Sequence, residues 1–550
     1  MIKARNQKES CRLNAFYKIA LQISSCCNLS HFMHLPHKIF IPQVKAMLNK
    51  DIKIFIDRMG VREQICDPLY DKLISIYGKD NIYAMTEKTD VINRYTGKIS
   101  EIIDAAPMYG INGDEIRYSC AQKYNAIDSI ILTKMSQYQH IIMMAFTRRV
   151  KNDNYLYMTN QYYDYLRFWN GYLDEKKVNI VLFEAPPHEF HDMLIYFICK
   201  CRNIKTLMFA HVYKGYYILT DDISKFSIED LWEGNVASNG IEKLDESFTE
   251  LLYRYSNVNE IPTAEAKPDY YKRTGIISGL SSKRLGLFRR IAYAGLYAFQ
   301  TIFQTKNLKL IRFLSNQDLQ RDYLNIFEEA VQYYDAVSIK PDYDKKYVYV
   351  ALHYQPEMTT LTFGGYYENQ ILMVRLLASV VPDNCVLYVK EHPRMFVDFL
   401  QYPNARDVRY YQELHSIKNV KLIDRKTNTY ELMQHCAFVA TVTGTVGIEA
   451  LFRNKQVIHF GRAPFEGAPG CYRVTTIEEC KETVAKILEK SDTYTYDKER
   501  VEEWLLRLQN RCVYGGLDNN PSDAVKFYRD DSEKQKYMLE ILTDAIENGH

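Results

Sequence analysis

The residues best equipped for chemistry lie in two short runs of the second half of the chain. Thr441-Val442-Thr443-Gly444-Thr445-Val446-Gly447 ends an apolar run and opens a helix read over Ile448 to Arg453. A strand that delivers Thr-Gly-Thr to a helix N-terminus offers backbone N–H groups, two hydroxyls and the positive end of the helix dipole at one point, as a phosphate requires. Gly444 lets the backbone come close to such an anion. Glu449 follows Thr445 by one turn on the same helical face, within reach of the hydroxyls of a ribose. The second run is Lys390-Glu391-His392-Pro393, at the end of a strand read over Val386 to Val389. Pro393 cannot continue a strand ladder, so it fixes where the chain turns and where His392 points. Ligands of open α/β sheets lie outside the carboxyl ends of strands, so His392 and the Thr443 to Thr445 turn are expected to line one crevice.

The elements that must position these residues run from Lys346 to Val474, as KYVYVAL, CVLYVKEHP, NVKLID, CAFVATVTGTVGIEALF and KQVIHFGRAPF. Each apolar run is short, rich in Val, Ile and Tyr, and separated from the next by a segment that reads as a helix. That is the pattern of a parallel sheet buried on both faces, half of a Rossmann-like α/β domain.

YVKEHP, TGTVGIEAL and VIHFGRAPF together resemble the capsule polysaccharide biosynthesis family, which includes β-Kdo transferases of bacterial surface glycans. They are more distantly similar to the His-Pro and Ser/Thr motifs of bacterial sialyltransferases, which use CMP-sugars. The resemblance covers a minor part of the chain. It implies an α/β, GT-B-like fold: two Rossmann-like domains facing a central crevice, with a helical insertion between them. It further implies that His392 and Pro393 contact the nucleotide and that Thr443 and Thr445 hold its phosphate. The family often has Ser where this chain has Thr443 or Thr445, and the hydroxyl is kept. In that fold the loop carrying Glu357, and the Phe363 to Gly365 segment beyond it, would face the sugar. Arg462 matches the carboxylate of an acid sugar in a bidentate way and reads equally as a surface arginine. Lys390 reads either as a ligand contact or as a strand-end charge.

In the first half, HIIMMAF from His140 reads as a buried strand and Asn154 to Leu173 as an aromatic-rich helix. VNIVLFEAPPHEFHDMLIYFICKC then reads as strand, turn and helix, followed by the strand IKTLMF. Such a β-α-β passage is the natural core of a Rossmann-like domain. KIFID, from Lys53, and Asn81 to Met85 read as further strands. Glu184 ends its strand, Pro186 and Pro187 turn the chain, and His188 stands near the next helix. In a GT-B enzyme this strand end meets the acceptor hydroxyl, where Glu184 or His188 would act as general base, or Glu184 would stabilise positive charge at the anomeric carbon. The alternative is structural: Glu189 and Asp192 as helix-start carboxylates, with His188 a cap. His188 and His191 lack the H-E-x-x-H spacing that sets two imidazoles one turn apart, so no metal site is assigned here. Nor is one assigned to His31, His34 and His37, whose repeat is interrupted by Pro36.

The 550 residues, 47% hydrophobic, suit two α/β domains with additions. The reading divides them into an acceptor-side domain (1–256), a basic helical insertion and linker (257–345), a nucleotide-sugar-binding domain (346–475) and C-terminal helices that pack back on the first domain (476–550). A formal net charge of +2 gives no overall drive toward nucleic acid. The 12 cysteines form no C-x-x-C pair, which suggests reduced thiols in the cytoplasm. Neither a signal peptide nor a spanning helix is expected. Tyr271 to Ser315 carries nine Lys and Arg and no Asp or Glu. Its Leu285 to Phe303 stretch is amphipathic as a helix, fit for an anionic membrane surface or for packing on the core or a partner.

These features together lead to a cytoplasmic, peripherally membrane-associated glycosyltransferase. It would move Kdo or a related acid sugar from a CMP-activated donor to a surface polysaccharide or glycolipid in capsule or lipopolysaccharide biosynthesis, with no cofactor and no metal. The alternatives are a UDP-sugar transferase or epimerase-like enzyme, a polyol-phosphate transferase, and a non-catalytic assembly scaffold.

Overall fold

The computed structural model describes residues 52–60, 63–105, 124, 126–147, 155–213, 215–225, 242–256, 317–355, 357–396, 406–491, 493–514 and 532–548. His31, His34, His37 and the Tyr271 to Ser315 stretch lie outside them. Among the described residues thirteen strands form two sheets. The first sheet takes β1 (Ile54–Asp57), β2 (Ile82–Thr86), β3 (Glu101–Asp104), β4 (Ile180–Phe183), β5 (Lys205–Tyr213) and β6 (Tyr216–Thr220). The second takes β7 (Tyr347–Ala351), β8 (Val386–Lys390), β9 (Val420–Leu422), β10 (Phe438–Thr441), β11 (Val457–His459) and β12 (Cys471–Arg473). The chain then returns to the first sheet with β13 (Val513–Tyr514).

In the second sheet the spatial order is β12-β11-β10-β7-β8-β9, parallel throughout. Counted along the chain this is the Rossmann order 3-2-1-4-5-6, whose reversal opens a crevice outside the carboxyl ends of β7 and β10. The first sheet repeats the scheme with β3-β2-β1-β4-β5 parallel, then adds β6 and β13 antiparallel at one edge. Its reversal lies between β1 and β4. Two doubly wound parallel-sheet domains make this a GT-B-like α/β fold.

Strand alternation explains why both sheets are covered on both faces. Phe55, Val181 and Phe183 pack on one side of the first sheet, and Ile54, Ile56, Ile180 and Leu182 on the other. In the second sheet Tyr347, Tyr349 and Tyr388 face one way and Val348, Val350, Leu387 and Val389 the other. The helices that cover these faces or carry site residues include α1 (Glu63–Tyr77), α2 (Gln139–Thr147), α3 (Tyr155–Glu175), α4 (Phe190–Arg202) and α5 (Glu246–Ser256). Beyond them come α6 (Gln317–Val337), α7 (Met358–Phe363), α8 (Val446–Leu451), α9 (Lys498–Arg511) and α10 (Ser532–Asn548).

HIIMMAF is not the expected strand but helix α2, and its burial shows why. Ile142, Ala145 and Phe146 are the buried positions, a spacing of three and four rather than two. A short, wholly apolar run carries no periodicity of its own, and packing on α4 decided it. No described helix is long and apolar enough to cross a membrane.

The end of the chain ties the halves together. Trp504, Leu505 and Leu508 of α9 pack in the core of the second domain, β13 then pairs with β6, and α10 buries Met538, Leu542, Ala545 and Ile546 against the first sheet. Leu542→Ala is therefore expected to cost about 2–5 kcal/mol, read as an earlier urea transition of the first domain.

Candidate functional site

The carboxyl ends of β7 and β10 meet in a hydrogen-bonded unit centred on His353. Its backbone is clamped: its N–H donates to Gln370 Oε1 at 2.6 Å, while its carbonyl accepts from Gln370 Nε2 and from Arg406, each at 3.3 Å. The Thr443 N–H donates to His353 Nε2 at 3.1 Å, and Thr441 Oγ1 lies 3.0 Å from the same nitrogen. A nitrogen that accepts a backbone N–H carries no proton, so the proton of His353 sits on Nδ1, 3.6 Å from Glu357 Oε2. His353 is buried and Glu357 is partly exposed.

Glu357 joins this unit to the His-Pro motif. Burial would raise its carboxyl, but the neighbouring His353 and His392 imidazoles bring it below its usual value. Burial pushes His392 down to about 3, with Glu357 opposing and His353, Arg394 and Lys390 adding to the fall. Its Nδ1 accepts the Arg394 N–H at 3.2 Å, so neutral His392 keeps its proton on Nε2 as a donor. Glu357 thus lies beside the His353 that holds Thr443 and within electrostatic reach of His392. The sequence singles out the loop of His353 but gives that residue no role. The signal is its place directly after β7, opposite the Thr-Gly-Thr turn.

Thr443 is buried and its Oγ1 has no hydrogen-bond partner. Thr445 begins α8 without spending its hydroxyl on a cap. The helix spans only six residues, Val446–Leu451, in place of the expected Ile448 to Arg453. So short a helix has a small dipole, and hydroxyls and N–H groups must carry any anion binding. Gly444 has a second reason to lack a side chain: a Cβ there would meet Thr441 Oγ1 at 2.9 Å and the His353 ring at 3.0 Å. Glu449 is buried behind the turn.

Thr443, Thr445 and Arg462 line a cavity of about 190 Å³ between the domains, with Ala185 and Pro186 on its far side. Arg462 donates to Glu466 Oε1 at 2.8 Å, and its N–H donates to the Phe363 carbonyl at 2.8 Å. The Thr362 hydroxyl donates to the Pro187 carbonyl across the domain boundary. His392, Pro393, Lys390, Glu357 and Glu184 do not line this cavity. Pro393 is buried and opens a short turn of helix, while buried Lys390 donates to Thr429 Oγ1 at 3.2 Å.

On the first domain, Glu184 is buried and accepts from Tyr70 OH at 3.2 Å. His188 Nδ1 donates to the Pro186 carbonyl at 2.8 Å, and Nε2 faces the Arg58 guanidinium at 3.2 Å. That leaves His188 no lone pair for an incoming hydroxyl while Arg58 stays in place. Glu189 and Asp192 form the capping box of α4, the structural role weighed for them. Burial holds Asp57 well above the usual carboxylate range and Asp192 up to about 7.

Residues 322–485, less than half of the chain, match the family described as capsule polysaccharide biosynthesis protein. Over that segment the chain is similar to this family. The matched segment holds the whole His353 unit. No curated protein matches the chain. Similar solved structures include a UDP-GlcNAc 2-epimerase from Methanocaldococcus jannaschii, 12% identical over 90% of this chain and 99% of the other, with a TM-score of 0.23. Two KpsC β-Kdo transferases of Thermosulfurimonas dismutans are also similar. The 2,4 transferase is 12% identical over 61% and 79%, with a TM-score of 0.27; the 2,7 transferase is 12% identical over 68% and 96%, with a TM-score of 0.23. At these scores they carry no weight for activity, and the fold rests on strand order.

One buried histidine of the matched segment makes stability depend on pH. His459 is fully buried, donates from Nδ1 to the Gly461 carbonyl at 2.9 Å, and has no partner at Nε2. Burial pushes it down to about 4, against roughly 6.5 in an unfolded chain. The unfolded state takes the proton first, so stability is present above about pH 6.5 and lost as pH falls toward 4. His459→Gln should flatten the melting-temperature slope between those values relative to the parent protein.

Proposed function

We propose that this protein is a glycosyltransferase of capsule or related surface-glycan synthesis that binds its nucleotide-sugar donor at the carboxyl ends of β7, β8 and β10. The observation that carries the reading is the buried, unpartnered Thr443 hydroxyl beside the His353-held turn, at the reversal of a Rossmann-ordered sheet. A donor phosphate takes the Thr443 and Thr445 hydroxyls and the Gly444 backbone as its contacts, with Arg462 near enough to add positive charge. Those dipoles are fixed before the donor arrives, and they stabilise the nucleotide as charge builds on it during departure. Neutral His392 serves as a donor to the nucleotide through Nε2.

The finer reading is a CMP-activated acid sugar such as Kdo, passed without a metal at the phosphate to a polysaccharide or glycolipid acceptor. Support comes from the family match over 322–485 and from the HP and TGT motifs within it. On the acceptor side Glu184 is the carboxylate of choice, since the nitrogens of His188 are engaged. The basic Tyr271 to Ser315 stretch supplies attraction to an anionic membrane in this reading.

Thermal shift with CMP, UDP, GDP and CDP tests the donor. CMP is expected to raise the melting temperature by several degrees at saturation, with affinity reduced about tenfold in His392→Ala and in His353→Asn. A shift with UDP or CDP alone would overturn the donor base, and no shift with any nucleotide would overturn the transferase reading in favour of a scaffold.

A further inference from the structure

The first sheet has its own switch point, between the carboxyl ends of β1 and β4, and charged groups converge there. Asp57 ends β1, and His191 and Asp192 stand in the first turn of α4. One ligand atom from each of the three lies within 4.8 Å of the others, and their exposures are 2%, 3% and 1%. Asp57 Oδ1 lies 3.9 Å from His191 Nε2 and has no hydrogen-bond partner. A buried carboxylate oxygen left without a donor is costly unless something positive meets it. Asp192 is aimed by its own helix, since its Oδ1 accepts the His188 and Glu189 N–H groups at 3.0 and 2.7 Å.

Charge points the same way. The carboxylates of Asp57, Asp192 and Glu189 are opposed here by the Arg58 guanidinium, with Glu87 adding further negative field at Asp57. Ionised, three carboxylates against one guanidinium leave two negative charges in a dry pocket, the complement of a divalent cation. One imidazole nitrogen with carboxylate oxygens is a donor set that zinc accepts. Tetrahedral zinc with bonds of about 2.0–2.2 Å sets its ligand atoms roughly 3.3–3.6 Å apart, so the 3.9 Å pair and the wider cluster must close by side-chain rotation, through about 1 Å at most, to hold the ion.

We propose that Asp57, His191 and Asp192 bind one divalent transition-metal ion of the zinc class, which pins the first turn of α4 to the carboxyl end of β1. The ion serves the first domain's side of the crevice, because the Pro187 carbonyl just before α4 takes the Thr362 hydroxyl of the second domain. It is separate from the donor phosphate and does not rest on the sugar-transfer reading. The local spacing of His188 and His191 hid it, because the third ligand arrives from β1.

The untagged 550-residue chain, dialysed against EDTA and titrated with ZnCl₂, is expected to take up one equivalent and to melt at a higher temperature. Asp57→Asn and His191→Gln are each expected to weaken binding by more than the roughly 10- to 100-fold that loss of a supporting partner costs a metal site. Replacing His31, His34 and His37 by Gln should leave uptake unchanged. The zinc absorption edge of the parent protein should show nitrogen and oxygen ligands only, a readout that stands even where a variant fails to fold. Absence of stoichiometric Zn²⁺ or Mn²⁺ uptake, uptake unaltered in folded Asp57→Asn, or sulfur ligation would overturn the proposal. So would an Asp57→Asn protein that melts higher than the parent with no response to zinc, since the cluster would then hold a shared proton.

Discussion

The hydrogen bond from the Thr443 amide to His353 Nε2 is the contact on which the second domain's site depends. A Rossmann-ordered sheet reverses between β7 and β10, and the chain leaving each strand must find partners outside the ladder. Here one imidazole meets that need. It accepts from the Thr443 backbone, which fixes its tautomer and turns its Nδ1 proton toward Glu357. Glu357 is also within electrostatic reach of His392, which brings the two motifs of the sequence to neighbouring strand ends. Gly444 is required by the same contact, since the imidazole occupies the space a side chain would need.

Close packing makes this unit rigid. A Cβ on Gly461 would meet Thr443 Cγ2 and the Phe363 carbonyl at 2.6 Å, and one on Gly447 would meet the Phe465 ring at 2.5 Å. Gly444, Gly447 and Gly461 therefore let the segments around them nest against one another. Loops held that closely set hydroxyl positions before a ligand arrives, which is how a site saves the cost of ordering itself. Glu391 backs the arrangement from below. Buried, it accepts from Arg406 at 2.9 Å and Tyr411 at 3.1 Å, and Arg406 reaches the His353 carbonyl.

The second domain was legible because its strands are continuous Val, Ile and Tyr runs and its turns carry Gly and Pro. KYVYVAL, CVLYVKEHP and CAFVAT lie where β7, β8 and β10 are found. His353 was harder to read, since its partners lie far along the chain and no local spacing marks a tautomer-setting contact. The first domain was less legible for two physical reasons. HIIMMAF is uniformly apolar, so only packing against α4 could choose helix over strand. Asp57 joins His191 and Asp192 through the β1–β4 pairing, a contact that no motif in a single segment announces.

On the proposed function, nucleotide binds at the switch point of the second sheet. The most direct test is hydrogen–deuterium exchange of the full chain with and without saturating CMP. Slowed exchange confined to 353–359, 390–396 and 441–449 is the predicted result. Protection confined to the first domain's 57–60 and 184–192 segments, or no change anywhere at saturation, would contradict it.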